Sequence, residues 1–364
     1  MIAVNASIIG SRPTGLGIVA GELARRLAAG RRDVLILASA PHEFDGARVE
    51  PVPRWVRARN ETSWGGMARF LWNQSVVPYK LWSRGATVLF SPNHEAALFC
   101  PCPQVVVIPD LLPLLYPGTY PRLRHYFRYV LPWVLRRCEA IIAISENTKK
   151  DLVKHYGLPA RGIEVIYPGV DRSLYRPVPA GPVKKEPYIL YVGSEFEYKN
   201  VDVLIDVFCR LARAGLPHDL VICGKRDPRR FPRLRSLVRR SAMEERVIFL
   251  DYLPKADLPG LYSRAELLVF PSSYEGFGLP LLEAMACGCP VASSWAASMP
   301  EVCGDAAAYF DPGDPEDMLR TVGAVLGDRS RLETMRRKGL DRSEKFDWSV
   351  AMEKYAHVLA GAGH

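Results

Sequence analysis

Glu275-Gly-Phe-Gly-Leu-Pro-Leu-Leu-Glu283, running on as Ala284-Met-Ala-Cys-Gly-Cys-Pro-Val291, joins two carboxylates, a glycine-rich turn and the start of a helix. Pro280 suits the first helical position, where its fixed φ fits and its missing N–H would be unpaired anyway. The helix is expected to run through Ala286 and to stop at Gly288 in a left-handed cap. Gly276 and Gly278 let the backbone approach a ligand closely, and the amides of Phe277, Gly278 and Leu279 sit at the positive helix end. Such an end is an anion site of phosphate size. A carboxylate is a strange neighbour for phosphate unless it serves another part of the ligand. Glu283, one turn in, can accept hydrogen bonds from a ribose diol, and Glu275 from the hydroxyls of a second sugar. Phosphate between two sugars describes a nucleotide-sugar. A surface loop entering an ordinary core helix would explain Pro280 and Gly288 but not the two spaced glutamates.

The 364 residues exceed what one core usually supports, so two domains are expected. Hydrophobic residues make up 48% and charged residues 24%, the balance of an ordinary soluble protein. No apolar run reaches membrane-spanning length, and Met1-Ile-Ala-Val-Asn-Ala6 lacks the basic start of a signal peptide, so a cytoplasmic protein is expected. The eight cysteines show no zinc spacing and read as reduced thiols. Charge is uneven: residues 1–182 hold 23 Lys and Arg against 13 Asp and Glu, whereas residues 183–364 hold 25 against 26. A basic first half suits an anionic surface or substrate, either a membrane leaflet or a lipid-linked phosphate. No nucleic-acid module is recognisable, and no nucleic-acid partner is expected.

Apolar runs alternate with amphipathic segments in both halves, the pattern of parallel sheets covered by helices. Strands are expected at 1–9, 34–38, 88–91, 105–108 and 140–144, then at 188–192, 219–223, 247–250, 267–270 and 290–293. Helices are expected at 19–29, 67–82, 123–137 and 148–155, then at 201–214, 234–243, 258–263 and 280–286. Tyr175-Arg-Pro-Val-Pro-Ala-Gly-Pro182 reads as a hinge. The expected domains are 1–180 and 181–345, followed by a C-terminal segment 346–364.

Gly15-Leu-Gly17-Ile-Val-Ala-Gly21 follows a strand and opens a helix, as a dinucleotide fingerprint would. The second strand, however, runs into Ser39-Ala-Pro41 with no carboxylate for a ribose, which argues against a nicotinamide dehydrogenase. Ser145 reads as the N-cap of a helix that follows Ile141-Ile-Ala-Ile144. Arg54-Trp-Val-Arg-Ala-Arg59 and Tyr120-Pro-Arg-Leu-Arg-His-Tyr-Phe-Arg-Tyr-Val-Leu-Pro-Trp133 mix arginine with aromatics. That mixture suits a membrane interface or lipid-linked acceptor, and equally an amphipathic helix packed on a sheet. The arginines from 226 to 240 read as a solvated helix face.

The Glu275–Glu283 block resembles the Glu-x-x-x-x-x-x-x-Glu signature of the retaining GT-B glycosyltransferases of family four (glycosyl transferases group 1). The similarity extends over nearly the whole chain, through Met1–Leu27, Phe90–Asp110, Ala140–Leu152, Val165–Asp171, Tyr188–Asn200 and Glu301–Pro312. The resemblance implies an α/β fold of two Rossmann-like domains with parallel sheets facing across a cleft. The first would bind the acceptor and the second the donor, with the last helix crossing back to the first. It implies that Gly17 approaches the donor diphosphate and that Lys199, in Gly193-Ser194-Glu-Phe-Glu-Tyr-Lys199, meets the charge on the departing pyrophosphate. The family usually places an arginine where this chain has Ser194 or Tyr198, and Lys225 with Arg226 could supply the missing charge. Asp110 matches the aspartate of a His-Asp strand end whose histidine is here Pro109, and His94 could compensate for it. Ser145 would line the cleft on the acceptor or sugar side, and Tyr252 and Leu253 would hold the base.

The implied reaction moves a hexosyl group from a nucleoside-diphosphate sugar to a saccharide or lipid-linked acceptor with retention. Glu275, Lys199 and Asp110 are the catalytic candidates. No cofactor is expected beyond the sugar nucleotide as co-substrate, and no metal, since the chain lacks an Asp-x-Asp cluster suited to hold magnesium on a diphosphate. Peripheral contact with the inner face of a membrane follows from the basic first half. The rival readings are a non-catalytic or weakened sugar-nucleotide-binding homologue and a nucleotide-sugar epimerase of similar fold.

Overall fold

A computed structural model describes residues 1–9, 15–31, 33–38, 44, 47–53, 55–56, 63–179 and 187–363. Ser39-Ala-Pro41, most of Arg54–Arg59 and the end of the proline-rich stretch lie outside the described residues. The chain forms two compact units, residues 1–168 with 348–364, and residues 169–347. The division falls at Pro168–Gly169, ahead of the proline-rich stretch expected to mark it.

The first unit contains β1 (Ile2–Ala6), β2 (Val34–Ala38), β3 (Arg48–Pro51), β4 (Val88–Ser91), β5 (Gln104–Ile108), β6 (Ala140–Ala143) and β7 (Ile163–Val165). They pair in parallel in the order β3-β2-β1-β4-β5-β6-β7, with Ile2 of β1 opposite Val34 and Val88. The second unit contains β8 (Tyr188–Val192), β9 (Asp219–Cys223), β10 (Val247–Leu250), β11 (Leu267–Phe270), β12 (Val291–Ser294) and β13 (Ala307–Phe310). Its order is β10-β9-β8-β11-β12-β13, again parallel throughout. The central strands are buried at every residue, as helices on both faces of a parallel sheet require. The helix Trp348–Ala362 packs on the first unit, with Tyr355 edge-on to Phe90 at 5.8 Å and Trp348 beneath Arg26 at 5.6 Å.

Two expected helices are interrupted, for one reason. The 67–82 segment is Ser63–Leu71, a π-turn at Trp72–Val76, then Val77–Arg84. The 123–137 segment is Leu123–His125, a π-turn at Tyr126–Val130, then Leu131–Leu135. In each case a proline, Pro78 or Pro132, stands at the second residue after the π-turn. It has no N–H for the carbonyl four residues back and its ring crowds that carbonyl, so the preceding turn widens. The strands β3, β7 and β13 were not expected.

A parallel sheet whose order reverses leaves a crevice where neighbouring connections leave in opposite directions, outside the strands' carboxyl ends. In the first unit that point lies between β1 and β4, and in the second between β8 and β11. Beside the second, at the ends of the neighbouring strands β8 and β9, backbone approaches backbone: a Cβ on Gly224, just past β9, would overlap the carbonyl oxygen of Gly193, just past β8. Glycine is therefore fixed sterically there. Gly224→Ala is expected to destabilise the second unit by about 1–3 kcal/mol through overpacking, read as a lowered urea midpoint. An unchanged midpoint would mean the two strand ends can part freely.

Candidate functional site

Two loops flanking the β8–β11 crevice carry opposite charges that meet. Lys199 ends a short 3-10 turn (Glu197–Lys199) after β8, and Glu275 follows β11; both are 8% exposed, and Lys199 Nζ is ion-paired with Glu275 Oε1. The ammonium also lies 5.3 Å from the ring centre of Tyr198 and 5.5 Å from that of Phe270, a cation–π setting. The loops are stitched at the backbone by Ser273 N donating to Tyr198 O at 2.7 Å. Asn200, left-handed at φ 51°, donates its side-chain amide to Pro271 O at 2.9 Å and to Ser273 Oγ at 2.8 Å. Asparagine tolerates that backbone region better than most residues, so Asn200 both turns the chain and locks the facing loop.

The glycine turn then delivers the helix Leu279–Ala286. Gly278 is its N-cap at φ 101°, and Pro280 stands second in it rather than first. The amides of Gly278 and Leu279 donate to no described residue, which leaves two N–H groups at the positive helix end. The carbonyls of Glu275 and Phe277 are each 2.9 Å from the hydroxyl of fully buried Ser298, which fixes the turn from behind. At the far end Gly288, φ 71°, donates to Met285 O at 3.0 Å, and Cys289 N donates to Ala284 O at 2.9 Å. These are the two bonds of a Schellman cap.

Glu283 faces away from water, 8% exposed. Tyr262 donates to its Oε2 at 2.9 Å and Tyr175 donates to the same carboxylate. Burial raises its pKa above the usual carboxylate range, against the pull of the two phenol donors and of Lys255. The carboxylate expected to serve a ribose is thus already oriented by two tyrosines, neither of them anticipated from sequence.

The remaining donor candidates cluster at the same sheet edge. Ser194 follows β8 and its carbonyl accepts from Tyr191 at 2.7 Å. Lys225 follows β9, exposed and with no partner among the described residues. Arg226 is held by Asp251 at 2.9 Å and by the Phe231 ring at 4.4 Å, so Lys225 is the better source of a missing charge. Tyr252 and Leu253 follow β10, with Tyr252 37% exposed. Gly276 lies between Glu275 and the capping amides. Sequence reasoning missed Glu195, 3% exposed, whose Oε2 accepts from Asp227 N at 3.0 Å and whose pKa is raised by burial. Its signal was a carboxylate three residues past a central strand.

In the first unit, Gly17 is buried within the first turn of the helix Gly15–Gly30, not in a loop. His94 follows β4 against Phe127 at 4.9 Å, and burial depresses its pKa to about 4. It is therefore neutral at physiological pH and supplies no cation. Beside it Glu95 pairs with Arg69, and Asn5 bridges Asn73 and the Glu95 carbonyl. Asp110 caps its own turn, accepting from Leu112 N at 2.9 Å. Ser145, fully buried, is the N-cap of Glu146–Tyr156 and accepts from Thr148 N at 3.0 Å. Thr148 in turn donates to Pro109 O at 3.1 Å. Ser145 is engaged as a cap that joins the β5 and β6 loops. All these residues lie at carboxyl ends of strands or in the helices that follow.

Known proteins share this organisation. Residues 177–342 match the family described as Glycosyl transferases group 1, and residues 13–174 match Glycosyltransferase Family 4. The O-antigen chain mannosyltransferase B of Escherichia coli is 30% identical over 257 residues, 67% of this chain and 66% of that protein. The chain spans from about a third to about two thirds of the length of the first relatives it matches. Sucrose-phosphate synthase from Thermosynechococcus elongatus superposes with a TM-score of 0.78 at 19% identity, over 98% of this chain and 97% of that one. HepE from Anabaena, solved in complex with UDP and glucose, gives 0.76 at 18% identity over 99% of both. With two Rossmann-like units and both family matches placed in order along it, the chain belongs to the family-four glycosyltransferases of GT-B fold.

Proposed function

We propose that the chain transfers a hexosyl group from a nucleoside-diphosphate sugar to a saccharide or lipid-linked acceptor, with retention at the anomeric carbon and without a metal. One observation carries this reading: Lys199 and Glu275 meet, buried, at the β8–β11 reversal, beside unpaired helix-end amides. Each partner is shaped for a different part of one ligand. The diphosphate takes Lys199 and the amides of Gly278 and Leu279, while sugar hydroxyls donate to the freed Glu275. Glu283 receives the ribose diol. Lys225 adds charge where the family arginine is replaced by Ser194 and Tyr198. As the bond from the anomeric carbon to the phosphate oxygen breaks, the acceptor oxygen bonds to that carbon on the same face. Its proton passes to the departing phosphate, so no protein base is required. The relatives' names, O-antigen mannosyltransferases among them, support a saccharide acceptor, and the UDP-glucose complex of HepE supports a sugar-nucleotide donor.

A membrane-side acceptor fits the first unit. Tyr129 and Trp133 are 60% and 59% exposed, Phe99 is 72% exposed, and Arg137 lies over Phe99 at 5.6 Å. Among the described residues no helix is long and apolar enough to cross a membrane, so contact would be peripheral. Co-sedimentation with phosphatidylglycerol vesicles is expected to weaken in Trp133→Ala. Equal pelleting of both proteins would remove this face from the proposal.

Glu275→Ala and Lys199→Ala are each expected to lower acceptor-dependent release of nucleoside diphosphate by about 100-fold or more. The double variant should lose little beyond either single change, because the two act on one ligand. Full activity in Glu275→Ala would sink the site, and diphosphate release equal with and without acceptor would favour a non-transferring homologue.

Glu283→Gln separates stability from binding. A buried carboxyl whose folded pKa exceeds its unfolded value holds its proton more tightly when folded. That contribution is full below the unfolded pKa and is lost as pH rises through the raised folded value. Glutamine keeps acceptor oxygen for the tyrosines and removes the ionisation, so at pH 7 the variant should melt no lower than wild type. A nucleotide at a hundredfold its dissociation constant stabilises the fold by about 2.7 kcal/mol, and a thermal-shift series with UDP, GDP and ADP should show that gain reduced in the variant. A lower melting temperature with undiminished nucleotide stabilisation would make Glu283 purely structural.

A further inference from the structure

Within the first unit the turn Leu112–Leu115, the interrupted helix from Leu123 to Leu135 and the helix Glu146–Tyr156 border an open hollow of about 420 Å³, at whose rim Arg128, Arg136 and His155 are exposed. Leu114, Leu115 and Pro132 give it an apolar floor, while Arg128, Arg136 and His155 line it with nitrogen donors. Among the described residues no Asp or Glu lines it. Arg136 is pinned, one terminal nitrogen donating to Pro132 O at 3.1 Å and the other to Tyr156 O at 2.8 Å. Three of its five N–H groups remain unspent. Arg128 lies over the Tyr129 ring at 5.7 Å, and neither it nor His155 has a hydrogen bond or ion pair among the described residues. From Leu111 to Cys138 the chain carries five arginines and no acidic residue, so no carboxylate of that segment neutralises them.

Solvated arginines usually line convex helix faces, not a cavity whose floor is leucine and proline. Two guanidinium groups with an imidazole form a fork-rich cradle, the arrangement that recognises phosphate oxygens. An apolar floor beside such a cradle calls for a ligand with an apolar group next to its charge. We propose that this cavity is a phosphate-binding site whose ligand is a phosphate ester with an apolar substituent. None of its residues belongs to the donor site, so it stands or falls separately from the transferase reading.

Titration calorimetry with geranyl phosphate and with inorganic phosphate on the full chain tests it. Geranyl phosphate should bind at least tenfold more weakly to Arg128→Glu and to His155→Glu, and unchanged to Lys199→Ala. The two variants sit on different helices at surface-reaching positions, so a common loss is not a common folding failure; unchanged melting temperatures check this. Affinity unaltered in both, or lost only in Lys199→Ala, would overturn the site, the latter by assigning binding to the donor residues. Geranyl phosphate binding at least tenfold tighter than inorganic phosphate supports a lipid source. Equal affinities would overturn the apolar part of the assignment and leave a soluble phosphate as ligand.

Discussion

A parallel strand covered by helices on both faces can keep few polar side chains along its length, so its chemistry collects past its ends. Both sheets obey this constraint. Val4, Leu89, Leu190, Tyr191, Leu268 and Val269 are fully enclosed, and the candidate residues in each unit stand in the connections that leave the carboxyl edge or in the helices they open. Where the strand order reverses, two such connections part and leave space between them. In the second unit those are the loops after β8 and β11, and they hold the lysine and the glutamate that pair. The fold alone thus selects which two of its loops can share a ligand.

That pair is a poor device for holding the protein together. Taking both charges out of water costs several kcal/mol per ion, and a buried ion pair seldom repays more than that. Asn200 and Ser298 already fix the two loops through backbone carbonyls, and Ser273 ties them directly. The geometry therefore does not need Lys199 and Glu275 to attract one another. In the proposed function this buried pair at the reversal point would part when an anion and a set of hydroxyls arrive together. Glu283 follows the same logic: burial disfavours its charge, and two tyrosines hold it ready for a donor stronger than they are.

Much of this was legible in the residues. Among the described residues the thirteen strands include ten expected ones, and those ten are apolar runs of the kind burial on both faces demands. The three that escaped explain themselves: β3 is Arg-Val-Glu-Pro at a sheet edge, β7 is three residues at the other edge, and β13 opens with two alanines. The glycine turn, the Gly288 cap and the Ser145 cap follow from local rules and stand as read. Partnership was harder. Nothing in a linear reading joins Lys199 to Glu275 across 76 residues, or sets Tyr175 and Tyr262 on Glu283, because those contacts exist only once the sheet has ordered its loops. The π-turns escaped a reading that ran helices straight through 67–82 and 123–137, although Pro78 and Pro132 stand inside those spans.

The uneven charge also resolves into local causes. Three of the seven arginines from 226 to 240 are answered, Arg226 by Asp251, Arg229 by Asp227 and Arg230 by Asp202, and Arg246 beyond them faces Asp219. In the first unit, Glu95 answers Arg69 and Glu50 answers both Lys80 and Arg84. Between Leu111 and Cys138, around the helix that Pro132 interrupts, five arginines stand with no acidic residue among them. Half of the net excess of ten positive charges in residues 1–182 therefore falls in one short stretch. That stretch lies beside an apolar hollow, and a short stretch of that kind selects its ligand by shape as well as by sign.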